Sequence, residues 1–371
     1  MADCAIRRDI FPRHVTRCRM TCDKGPWTTR PGATMAVMAL DLGGTKLATA
    51  IFDDSGELRW RESVPLAGRR GAEVGELVVE RCRAARMQLR EGEAASPSAI
   101  GVTVPGIYRA ERGTVWAPNI PEWDDYPLLD ELTKVVGDGS RVVIDSDRAA
   151  YVLGETWRGA ARGARHAIVV AVGTGIGAGI MVDGQVLRGA HDIAGAIGWL
   201  ALDRPFRDEY VSCGCFEHHA SGPGLVKVAL ERMAADTDYD GSLRDVPAFE
   251  LTASHVFGAA ELGDPIARRV IDDAVQFWGM ATANLVSLFN PEVIVFGGGV
   301  FGPGVRLLDR IRAEATRWAQ PISIQQVTLA ASTLGADAGL YGAASMALRA
   351  AGSTVPDTSF VTSTDFARMA S

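Results

Sequence analysis

Apolar and polar positions alternate between two grammars along this chain. Short, mostly apolar runs at 37–42, 47–52, 100–104, 141–144, 167–172, 178–182 and 293–296 predict buried strands. Apolar residues at helical spacing predict helices over 72–90, 223–235, 265–289, 305–318 and 336–350, with another from Asp147 onward. The turn Asp53-Asp54-Ser55-Gly56 leads to a further strand at 57–61. Strands 37–42 and 47–52 form a hairpin, and 167–172 with 178–182 repeats it. A strand, a glycine turn and a return strand thus open both halves, which suggests an ancient duplication. The fold class this predicts is α/β, in two lobes with a central cleft.

Glycine-rich turns follow three of the strands. They are Asp41-Leu42-Gly43-Gly44-Thr45-Lys46, the stretch from Gly173-Thr174-Gly175 through Gly177 to Gly179, and Gly297-Gly298-Gly299. Glycine allows positive φ and close backbone approach. Successive backbone N–H groups make anion-binding concavities. Two such loops facing each other, with a third nearby, suit a polyphosphate and point to nucleotide-dependent phosphoryl transfer.

Length and charge narrow the picture. The 371 residues suggest two domains. The composition, 47% hydrophobic and 22% charged, is that of a soluble globular protein. The net charge of −7 and the lack of a basic block argue against nucleic-acid binding. No run of about 18 apolar residues predicts a membrane span. Six cysteines, scattered outside any disulfide framework, fit a reducing cytoplasm. Residues 1–34 hold seven basic and three acidic residues with no periodicity. They read as a disordered tail or a wrongly assigned start; a metal site of Cys18, Cys22 and His14 is the lesser alternative. Residues 352–371 read as a flexible tail.

An ordered set of motifs then carries a resemblance. After Asp41–Lys46 come Pro105-Gly106, Ala117-Pro118-Asn119, Ile144-Asp145-Ser146-Asp147, the Gly173–Gly179 loop, and Asn290-Pro291-Glu292 leading into the third glycine turn. In this order they resemble the ROK family of bacterial sugar kinases and repressors, of the actin-like, hexokinase-like ATPase superfamily, over about 36–350. Each motif alone is weak.

The resemblance implies a small lobe from 35–146 plus 335–351 and a large lobe from 147–334. It implies ATP with Mg²⁺ as cofactors. The phosphate loops would be Asp41, Gly43, Gly44, Thr45 and Lys46, then Gly173, Thr174, Gly175 and Gly177. Gly297, Gly298 and Gly299 would lie beside the adenosine. Asp147 falls at the catalytic aspartate, Asn119 and Glu217 at sugar contacts, and homodimers or homotetramers are implied. Ser146 and Trp199 also fall in the substrate region. The departures are specific. Ser146 stands where the family has asparagine, Ala196 replaces a carboxylate, and Trp199 replaces a histidine. Of the zinc-binding cysteines only Cys215 is in register, with Asp208 and Tyr210 in the other places.

Chemistry supports an acid at 147: an attacking hydroxyl must lose its proton, and a carboxylate can take it. A bland alternative is that Asp147 caps the helix it begins. Asp145 is expected, from strand alternation, to point to the opposite side and take a minor role. Asp41 would hold Mg²⁺ through water; for Lys46 a solvent-facing place is the alternative to phosphate contact. Cys213, Cys215, His218 and His219 are weak zinc candidates; a metal-free loop packed by Trp199, Phe206, Tyr210 and Phe216 is the expected alternative. The resulting expectation is an ATP-dependent kinase of a hexose-like sugar, glucose by default, with an amino sugar, acylated sugar or cyclitol possible. A sugar sensor without catalysis is the alternative. A phosphohydrolase or acyl kinase on the same fold is a third class, against which Asn119 and Glu217 argue.

Overall fold

The computed structural model describes residues 35–89, 97–136 and 140–352. The N-terminal segment, including Cys18, Cys22 and His14, and the tail beyond Gly352 lie outside the described residues. The chain opens with β1 (Ala36–Leu42), β2 (Lys46–Asp53) and β3 (Leu58–Pro65), then α1 (Gly71–Arg86). Next come β4 (Ala99–Val104), a small hairpin of β5 (Ile107–Arg109) and β6 (Thr114–Trp116), α2 (Leu128–Val136) and β7 (Arg141–Ser146). Helix α3 (Asp147–Arg158) leads to β8 (Ala167–Val172), β9 (Ile176–Val182) and β10 (Gln185–Val186). Helices α4 (Tyr210–Cys213), α5 (Cys215–Ala220), α6 (Gly222–Ala235), α7 (Ala253–Leu262) and α8 (Pro265–Phe289) follow. The body ends with β11 (Val293–Gly297), α9 (Leu308–Trp318), α10 (Pro321–Gln326), β12 (Thr328–Ala331) and α11 (Ala338–Ala350).

Two five-stranded sheets share one topology. Their orders are β3-β2-β1-β4-β7 and β10-β9-β8-β11-β12. In each, three antiparallel strands are followed by two parallel additions. The repeated hairpin seen in the sequence is therefore half of a repeated sheet.

The cores explain why the strands read as mostly apolar runs. Met38 and Leu40 of β1 join a cluster with Val74 and Val78 of α1 and Leu128 and Leu132 of α2. Val37 and Ala39 point the other way, into a cluster with Val152, Leu153 and Trp157 of α3 and Leu340 and Ala343 of α11. That same cluster takes in Val169 of β8 and Val295 of β11, so α3 and α11 are shared by the two sheets. The far face of the second sheet is covered by α5 to α9. Strands covered on both faces have no polar side to show.

Helices α3 and α11 cross closely, and α11 also packs on β1 and β4. Glycine sets the approach: at Gly342 a Cβ would strike the Ala150 carbonyl oxygen, so the backbones touch where no side chain fits. The site described next is built on the ends of these elements.

Candidate active site

Next to last in β1 is Asp41, whose Oδ1 accepts the Thr103 hydroxyl at 2.5 Å. The carboxyl lies against the first turn of α11, and a Cβ at Gly339 would collide with it. Burial raises the Asp41 pKa, while the Thr103 hydrogen bond and the nearby Lys46 ammonium pull it down. The first turn is exposed at Gly44, Thr45 and Lys46. Gly44 backs onto Asn119, where an added Cβ would lie 3.2 Å from the Asn119 Cβ. Loop and Asn119 are thus brought together. Trp123, buried beneath, bonds the Gly71 carbonyl through its indole N–H at 2.9 Å and stacks on Tyr126.

Asp147 opens α3 where β7 ends. Ser146 is the cap: its Oγ accepts the Ala149 N–H at 3.3 Å. The capping alternative for Asp147 is therefore corrected; it is the first helical residue, and Oδ1 accepts the Arg148 N–H at 2.8 Å. The Asp147 carboxyl sits deep among protein atoms yet keeps part of its surface open. Burial pushes its pKa up to about 6, opposed by the Arg148 charge and the Arg148 N–H and reinforced by Asp41. The two carboxylates thus lie near enough to act on each other, and Tyr151, one turn along α3, feels both.

Asp145 is occupied elsewhere. Its Oδ2 takes the Arg188 guanidinium at 2.5 and 3.1 Å, and Oδ1 accepts the Ser146 N–H at 2.8 Å. Residues two apart on a strand share a face. The helix start at Asp147, not strand alternation, is what parts the two acids, which corrects the reason expected from the sequence.

The second glycine turn is tied to Glu217 of α5. Glu217 Oε2 accepts the Ile176 N–H at 2.6 Å and lies 2.7 Å from where a Cβ would sit on Gly175 and 3.0 Å from the same point on Gly198. Burial raises its pKa against that N–H. Ser221 caps α6 by accepting the Gly224 N–H at 3.1 Å, and the Gly222 N–H bonds the Gly173 carbonyl at 2.9 Å. The α6 N-terminus therefore meets this turn, and Thr174 is exposed beside it. In the third turn, Gly297 is buried while Gly298 and Gly299 are open. Gly298 packs on the Val172 end of β8. Its φ of 86° is positive, alone among the glycines of the three turns. Gly44, Gly175 and Gly177 matter because they lack a side chain where Asn119, Glu217 and Arg148 pass close by.

The zinc candidates do not form a ligand set. His219 Nε2 shares a 2.7 Å hydrogen bond with the Tyr210 hydroxyl, and its ring stacks on Phe277. His218 Nδ1 lies 3.2 Å from the Lys227 ammonium. Cys215 is buried, and Cys213 lies 3.9 Å from the Glu209 carbonyl. Among the described residues no group of three or more His, Cys, Asp or Glu side chains is placed to hold a metal ion. The expected packing is corrected in part. Tyr210 and Phe216 are buried, but Trp199 is 57% exposed and Phe206 71%. A short 3₁₀ turn over 197–199 swings the indole outward.

Four residues of this region were passed over in the sequence: Thr103, Arg148, Tyr151 and Gly339. The only local signal was the Asp147-Arg148 pair at a helix start, where a cation opposes the helix dipole.

With this geometry in view, the likenesses are specific. The family model described as ROK family matches residues 37–350. A glucokinase of Halalkalibacterium halodurans is 33% identical over 315 residues, 82% of this chain and 92% of that protein. A putative xylose repressor of a Caldicellulosiruptor species is 30% identical over 286 residues, 74% of this chain and 69% of its own. The crystal structure of a ROK family glucokinase from Streptomyces griseus, in complex with glucose and AMPPNP, superposes with a TM-score of 0.66 at 32% identity, covering 85% of this chain and 99% of that one. This chain belongs to the ROK family, with its two-lobe actin-like ATPase fold.

Proposed function

We propose that the protein is an ATP-dependent kinase of a hexose or hexose-like sugar, with Asp147 as general base. The sugar-kinase reading is supported by the glucokinase relatives, in sequence and in fold. The observation that carries the base is the Asp147 carboxyl itself. It is free of capping duty, partly open, and its pKa of about 6 leaves it ionised yet proton-seeking at neutral pH.

The residues present fit Mg·ATP. Exposed backbone at Gly44, Thr45, Thr174, Gly298 and Gly299 offers N–H groups for phosphate. Asp41, a hard oxygen donor bonded by Thr103, suits a cation that keeps its water shell. When bound, Mg·ATP supplies the phosphoryl group and neutralises charge developing on it. Lys46 faces solvent beside this loop and adds positive potential near Asp41. The sugar lies by Asn119, Glu217, Ser146 and Trp199. Asp147 accepts the hydroxyl proton there, and the lobes exclude water around it. The missing acid at Ala196 and the outward indole of Trp199 suit an acceptor with fewer hydroxyls to satisfy, such as an amino sugar, an acylated sugar or a cyclitol, with glucose as the default. Self-association as a dimer or tetramer is part of this reading and is testable by light scattering.

A coupled ADP-release assay over glucose, mannose, N-acylated hexosamines, aminohexoses and cyclitols tests it. Sugar-dependent turnover abolished by Asp147→Asn is the expected result. A wild type that binds sugar and never turns over would favour the sensor reading that the repressor relative keeps open.

A further inference from the structure

The segment 187–196, after β10, is unusual in its backbone. Gly189, Asp192 and Gly195 all take positive φ, at 76°, 56° and 88°. For Asp192 this conformation is costly and persists only where surroundings impose it. Some of the restraint is local. The Ala194 N–H bonds the Arg188 carbonyl at 3.0 Å, and the Gly195 carbonyl accepts the Ala178 N–H at 2.8 Å. The rest comes from two arginines that reach across to the β7–α3 junction.

Arg188 sits at one end of the segment and binds Asp145 of β7. Arg148 works from the other side. Its Nη1 is shared between the Ile193 and Ala194 carbonyls at 3.3 and 3.4 Å. Its stem lies along Gly177 of β9, where a Cβ would approach the Arg148 Cδ to 3.0 Å. Among the described residues no carboxylate lies within ion-pair distance of Arg148, so its charge is spent on carbonyl dipoles and on the field at Asp147. The charges that set that field are Arg148 on α3 itself and Asp41 from β1; Tyr151, one turn along, feels both acids, and Lys46 and Asp337 act through Asp41.

We propose that Arg148 is a positioning residue that fastens the 187–196 strap to the start of α3, where Asp147 sits, with the Arg188–Asp145 ion pair as the second anchor. This rests on Asp147 being the base. One side chain thereby couples the shape of the recess wall to the charge state of the acid within it. A guanidinium has the fork to span two carbonyls; an ammonium has the charge without the fork.

The test uses the full chain with Arg148→Met, Arg148→Lys and Arg188→Met. Two readouts do not depend on turnover: hydrogen exchange of the 188–197 amides, and ¹³C carboxyl titration of Asp147, assigned by its loss in Asp147→Asn. Arg148→Met is expected to speed exchange at Ala194 and its neighbours by about tenfold and to move the Asp147 midpoint upward from about 6. Arg148→Lys restores the midpoint but not the slow exchange. Arg188→Met speeds exchange and leaves the midpoint in place. With glucose and ATP, Arg148→Met shifts the acid limb of kcat/KM upward in the same sense. Unchanged exchange together with an unchanged midpoint in Arg148→Met overturns the proposal. A wild type with no sugar-dependent turnover would overturn the kinase reading instead, while exchange and titration still decide the role of Arg148.

Discussion

The Ser146 hydroxyl accepts the Ala149 N–H at 3.3 Å, and that bond leaves the next side chain, Asp147, holding the Arg148 N–H instead. Both residues could cap a helix; only one has to. Removing the hydroxyl invites Asp147 to turn inward and take the vacant N–H. Ser146→Ala should therefore cost about 1 kcal/mol of stability and lower kcat by more than that loss accounts for. Denaturant melts and the coupled assay, run on the same sample, separate the two effects.

Asp147→Asn keeps the shape and removes the base. We expect kcat to fall by about 10²–10⁴-fold, with sugar binding by calorimetry within a few-fold of wild type. Near-normal turnover in this variant would remove Asp147 from the mechanism.

The pH dependence has a definite sign. The folded pKa of Asp147, about 6, stands above its ordinary 3.8. The native state then holds this proton more tightly than the unfolded chain. Its contribution is most favourable below pH 3.8 and is lost as pH rises through about 6. The full shift corresponds to no more than about 3 kcal/mol, and the open side of the carboxyl reduces it. Asp147→Asn should be more stable than wild type at pH 7–8, with the difference shrinking toward pH 4. Activity runs the opposite way and rises with pH through about 6. Thermal melts across pH, paired with kcat/KM profiles, check both directions.

Glu217 touches both halves of the proposed chemistry, because one of its oxygens holds the Ile176 N–H beside Gly175. Glu217→Gln keeps an acceptor for that N–H and should raise KM for the sugar alone. Glu217→Ala loses the support of the turn and should raise KM for ATP as well. Equal effects on ATP from both variants would contradict this division.

Much of the fold was legible because strands covered on two faces leave mostly apolar runs. The 37–42, 47–52, 167–172 and 293–296 runs all appear as strands, shifted by at most a residue or two. Helix α7 was missed because Ala253–Leu262 is rich in alanine and has little contrast between faces. Strand β12 was missed because Thr328–Ala331 is a short, half-buried edge. The 305–318 helix begins three residues late, after a 3₁₀ turn over 303–307. At the site, local order exposed the glycine turns and Asp147. It did not expose Thr103, which meets Asp41 from 62 positions away. Nor did it show that Trp199 faces outward, since an indole in sequence reads equally well as core or surface.

The crossing of α3 and α11 gives a stability prediction. Gly342→Ala places a methyl on the Ala150 carbonyl, and backbone cannot yield as a side-chain tip would. The variant should lose about 3 kcal/mol or more, with poor recovery of folded protein. Gly258→Ala, on α7 with open space around its Cα, is the control and should melt near wild type.

Asp41 rests on Gly339, and almost three hundred residues separate them along the chain. During synthesis the first loop is made long before its floor. Until α11 leaves the ribosome, that acid has no seat. A nascent chain stalled before residue 338 should thus carry every glycine turn named above and still fail to retain nucleotide.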